Sequence, residues 1–77
     1  MAKNKEDLIK IGEAIRMERF RRRLSQDNLA ELAGLAQAQH ISKIERAEID
    51  MKVSTMLAIF RVLNLSLDDI VGLNNDI

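Results

Sequence analysis

The sequence predicts an all-α domain of five helices, and three observations predict it. Apolar residues recur at helical spacing along most of the chain. Strand signals are poor, because Trp and Tyr are absent and no stretch alternates cleanly between apolar and polar. Proline is absent too, and the three glycines stand at 12, 34 and 72. With 77 residues, 47% hydrophobic and 31% charged, the chain suits one small folded domain spanning 1–77. No repeat, low-complexity tract or linker divides it.

Leu8, Ile11 and Ile15 open a helix expected over about 6–23, with Phe20 and Leu24 continuing its apolar contacts. Ser25 can cap a second helix over about 26–33, and Asp27 suits its positive end. Leu29, Ala30 and Ala33 should face inward, and Gly34 suits a left-handed stop. A third helix over about 37–46 turns Ile41 and Ile44 inward. Residues 47–52, "AEIDMK", form a polar connector. The fourth helix, about 53–63, carries Val53, Met56, Leu57, Ile59, Phe60, Val62 and Leu63, more apolar residues than one stripe needs. Asn64 can take a left-handed stop in place of Gly. Ser66, with Asp69 three residues on, is expected to cap a fifth helix whose apolar face is Leu67, Ile70 and Val71. Residues 1–5 and 73–77 are expected to be loose.

Net charge is zero, but it is unevenly spread. Residues 1–25 hold eight basic and four acidic side chains, and residues 26–77 hold four basic and eight acidic ones. One part of the fold could face phosphates, or the surface could simply be polarised. Cys is absent, so neither a disulfide nor a thiolate metal site forms, and the lone His40 makes no metal centre. There is no phosphate-cradling Gly-rich loop, no second His and no catalytic constellation, so no enzyme and no cofactor are expected. No apolar run is long enough to span a membrane and no signal-peptide core follows Met1, so a soluble, cytoplasmic protein is the expectation.

The strings "LSQDNLAE", "ISKIER" and "LNLSLDDI", in that order and spacing, resemble the Cro/CI-type (XRE-like) helix-turn-helix family over about residues 11–72. The resemblance implies a compact five-helix lambda-repressor-like fold, with the DNA-binding motif at helices 2 and 3, about residues 26–46. A helix fits the major groove, where each base pair shows a distinct pattern of donors and acceptors. Carried over, the exposed start of helix 3 is Gln37, Ala38, Gln39 and His40, with Lys43 one turn beyond Gln39. Gln can pair with adenine, Lys can reach guanine or phosphate, and Ala can meet a thymine methyl. On the residues alone, the same stretch reads as a solvated helix face. The resemblance further implies phosphate contact by Gln26, while Arg46 and Lys52, flanking the loop after helix 3, read either as further backbone contacts or as loose surface charge. It also implies a structural pair, Arg19 with Glu45, that ties helix 1 to the end of helix 3.

The sequence departs from the family at several points. Arg23 and Ala47 stand where Gly is usual. Met51 replaces a frequent Pro, and Lys52 a frequent capping Ser. Glu18 replaces an apolar residue, whose packing Phe20 is expected to take over. Six residues separate Gly34 from Ile41, one more than the usual spacing, so either the turn is longer or helix 3 starts elsewhere.

The implied function is a sequence-specific, DNA-binding transcriptional regulator. A repressor or controller is expected, acting as a homodimer on double-stranded DNA. Ile59, Val62, Ile70 and Val71 on helices 4 and 5 are candidates for the dimer contact or for the chain's own core. The alternative is a protein-interaction module of the same fold, such as an antitoxin that binds a partner toxin.

Overall fold

The computed structural model describes residues 2–72. The described residues form five α-helices and no strand: α1 (Ala2–Arg21), α2 (Gln26–Leu32), α3 (Ala38–Glu45), α4 (Val53–Leu63) and α5 (Leu67–Val71). The long α1 is the spine. It packs against α3, α4 and α5, while α2 packs on α3 and α4. The core between them consists of Ile11, Ile15, Leu29, Ala30, Ile41, Ile44, Ile59, Phe60 and Leu63.

Helix α1 starts earlier than its apolar spacing predicts and takes in residues 2–5, which were expected to be loose. The final five residues and Met1 lie outside the described residues. Phe20 does not take over core packing: it is 56% exposed. Arg19, four residues after Ile15, holds the core-facing position, and Phe20 lies about 100° round the helix from it. The Phe20 ring instead lies beneath the guanidinium groups of Arg16 and Arg19, at 5.5 and 4.7 Å. Glu18 gains polar partners where the family has an apolar side chain. It accepts from Arg21 at 3.1 Å and from Arg22 at 2.8 Å. Arg22 also donates to the carbonyl of Leu63 at 2.9 Å, pinning the end of α1 to the last turn of α4.

Four helices close with the same bond, from an amide to the carbonyl five residues back: Leu24 to Arg19, Leu35 to Ala30, Glu48 to Lys43 and Leu65 to Phe60. Each needs a left-handed residue just before the donor. Only α2 supplies glycine there, Gly34 at φ 73°. Arg23, Ala47 and Asn64 occupy the other three at φ 59°, 59° and 55°. Asn tolerates this region, whereas a non-glycine residue such as Arg or Ala costs about 1 kcal/mol or more there.

Ser66 sits at the N-cap position of α5, but its hydroxyl makes no capping bond. Ile59 is fully buried in the chain's own core, so it cannot serve as a dimer contact. Val62, Ile70 and Val71 are half-buried and pack on that core. The apolar surplus of α4 emerges instead at Val53 and Leu57, 66% and 43% exposed.

Candidate nucleic-acid interface

Helix α2 starts on a reciprocal cap. The Ser25 hydroxyl accepts from the Asn28 amide at 2.9 Å, and the Asn28 side chain accepts from the Ser25 amide at 3.2 Å. Leu29 and Ala30 then seat α2 in the core. Gly34 ends it, and Leu35 folds back to pack on the core. The chain next extends through Gln37 at φ −141°, ψ 134°, and α3 begins at Ala38. The added residue therefore lengthens the turn. It does not shift α3, because Ile41 and Ile44 are both buried, at 0% and 1% exposure.

That rotation decides what α3 presents. With Ile41 and Ile44 inward, Gln39, His40 and Lys43 are exposed on the other side. Gln39 and Lys43 are one turn apart on a shared face. Gln37 is exposed but is the N-cap rather than a helical residue, and its side chain makes no capping bond. Ala38 is half-buried against the core, so its methyl group is largely committed to packing.

The end of α3 is tied to the rest of the fold by an ion pair. Arg19 Nε donates to Glu45 Oε2 at 2.7 Å and Nη2 to Oε1 at 3.0 Å, a bidentate geometry. Arg19 Nη1 donates to the Leu24 carbonyl at 2.9 Å. The Gln26 side-chain amide donates to Glu45 Oε1 at 3.2 Å, so one carboxylate joins α1, α2 and α3. Gln26 thus spends one of its two side-chain N–H groups inside the protein and is half-buried. Gly12 brings α1 down onto the last turn of α3: a Cβ there would lie 2.5 Å from the Ile44 carbonyl oxygen and 2.8 Å from that of Glu45.

Beyond α3, Arg46 and Glu48 form an exposed pair at 3.1 Å, and Lys52 is exposed at the N-cap of α4. Part of the basic excess of the first 25 residues is paired: Arg19 with Glu45, and Arg21 and Arg22 with the single carboxylate of Glu18. Among the described residues, no group of His, Asp or Glu is arranged to hold a metal ion, and no helix is long and apolar enough to cross a membrane.

Two helices crossing around a short turn, the second presenting a polar face and held from behind by a buried ion pair, match a family model described as helix-turn-helix over residues 14–70. The chain belongs to the Cro/CI-type helix-turn-helix family. The match covers the core of the domain from mid-α1 into α5, and the all-helical arrangement agrees with the lambda-repressor-like fold. Membership marks the chain as a DNA-binding regulator of the XRE type. No match was found among curated proteins or among solved structures.

Several contributors to this helix-turn-helix site are missing from the sequence reading. Gly12 carried no helix-stop or turn signal there. Asn28 takes the place of the acid or Gln that marks a capping box. Lys5 donates to the Ala47 carbonyl at 2.8 Å across 42 positions of sequence, a contact that no local pattern reveals.

Proposed function

We propose that this protein is a dimeric, sequence-specific repressor or controller that inserts α3 into the major groove. The observation that carries the reading is the exposed Gln39–His40–Lys43 face on a helix whose rotation is set by buried Ile41 and Ile44. Gln39 reads adenine, Lys43 reads guanine or meets phosphate, and Gln37 and His40 border them. Ala38 is a lesser contact because its methyl group is half-buried. Arg46 and Lys52 approach the sugar–phosphate backbone from the loop after α3, and Gln26 approaches it from the start of α2. A small domain gains affinity by binding two half-sites at once, which favours a two-fold dimer. Helices α4 and α5 are the proposed contact, through Val53 and Leu57 with Val62, Ile70 and Val71 at its edge. Such a protein works in the cytoplasm, where the DNA is.

Selection of bound duplexes from a random pool tests this. Enrichment of two inverted half-sites, with centres about 34 Å apart or a multiple of that, is expected. No enrichment even at low salt would contradict it. A second reading, a protein-interaction module such as an antitoxin, draws support from the exposed Ile9, Met17 and Phe20 on α1. It gains ground if the pool yields no preferred duplex.

A further inference from the structure

We propose that Lys5 is a positioning residue for the recognition helix, set ahead of the segment that the family match covers. The match begins at residue 14, so Lys5 lies on the first turns of α1, outside it. Its ammonium group donates to the carbonyl of Ala47 at 2.8 Å. Ala47 is the left-handed residue on which α3 ends, at φ 59°, and it is buried at 4% exposure. Glycine would take that conformation freely, but alanine holds it under strain. The same end of α3 is the negative end of the helix dipole, which a cation offsets.

Gly12 lets α1 lie directly on the Ile44 and Glu45 carbonyls, and Arg19 holds the Glu45 side chain. These contacts fix the last turn of α3, and the Ala47 amide donates to the Ile44 carbonyl at 3.0 Å. Lys5 adds a hold on the other side of that residue, at its carbonyl. The Glu48 amide, bonded to the Lys43 carbonyl at 2.9 Å, closes the same turn. Lys43 and Arg46 therefore flank a backbone whose path depends on Ala47 staying left-handed. Holding it aligns the C-terminal half of the reading face with the bases.

The role rests on the DNA-reading function proposed above, and the test separates the two. The full chain is compared with Lys5→Met, which keeps the apolar stem but loses the charge, and with Lys5→Arg, which keeps a donor. Affinity is measured for the duplex selected by the wild type and for an unrelated duplex, each over a salt series, alongside the melting temperature. Lys5→Met should weaken binding to the selected duplex roughly threefold or more. Binding to the unrelated duplex and the salt slope should stay unchanged, and Lys5→Arg should restore the selected-site affinity. An unchanged ratio between the two duplexes would overturn the role, whatever happens to the melting temperature. Equal losses on both, with the slope shallower by about one phosphate's share, would mark Lys5 as a direct phosphate contact and also overturn it. Wild-type protein that selects no duplex would overturn the DNA-reading function and this role together.

Discussion

Arg19 and Glu45 meet through two parallel hydrogen bonds at 2.7 and 3.0 Å, with their side chains 8% and 3% exposed. The pair binds the spine of the fold to the last residue of the recognition helix. Removing one partner strands the other in a dry site, which costs about 3–5 kcal/mol. Glu45→Ala should therefore lower the melting temperature by roughly 10 °C or more in a domain of this size. Arg19→Lys should also destabilise the protein, because an ammonium cannot make the fork. A melting curve for Glu45→Ala that overlays the wild type would refute a structural role for the pair.

Gly12→Ala should be damaging for a different reason. The added methyl would lie 2.5 Å from a backbone oxygen of α3, which cannot rotate away as a side chain could. Overpacking of this kind costs about 1–3 kcal/mol, and relief requires α1 and α3 to move apart. Denaturant unfolding should show the loss of stability, and a wild-type midpoint would contradict the close approach.

Ala47→Gly should act the other way. The native φ of 59° suits glycine, so the replacement should stabilise the domain by about 1 kcal/mol after the entropy glycine adds to the unfolded chain. Thermal melting checks it, and a lower midpoint would mean that Ala47 is not strained.

Acid should weaken the Glu18 cluster. The Arg22 hydrogen bond, helped by the charges of Arg21 and Arg22, holds the Glu18 carboxyl below the ordinary glutamate value of 4.5. A carboxylate depressed on folding contributes stability in full above its unfolded value and loses it as pH falls through the folded one. Between pH 7 and pH 3, the wild type should lose more melting temperature than Glu18→Gln. Equal losses would show that the cluster adds nothing to acid sensitivity.

What the sequence reveals is what local chemistry controls. The limits of α4 follow from its apolar density between Lys52 and Asn64, and the start of α2 follows from the Ser25 cap. Ile41 and Ile44 set the rotation of α3 despite the longer turn, because a buried pair three residues apart leaves one orientation. Tertiary choices are not legible in this way. Phe20 looks like core until Arg19 occupies the inward position, and Ile59 looks like an interface until the chain buries it. The expected loose start becomes helix, with Lys5 reaching the end of α3. Nor does local spacing show that Gln26 turns inward to Glu45.

On the function proposed here, the exposed face of α3 does the reading. The most direct measurement compares wild type with the Gln39→Ala, Lys43→Ala double variant on the selected duplex across a salt series. Both side chains are exposed, so the melting temperature should not change. At least a tenfold loss of affinity is expected, since each good base contact contributes about 1–3 kcal/mol of discrimination. If Lys43 also meets a phosphate, the salt slope becomes shallower by about one charge's share. Wild-type affinity and wild-type selectivity in the double variant would contradict base reading by α3.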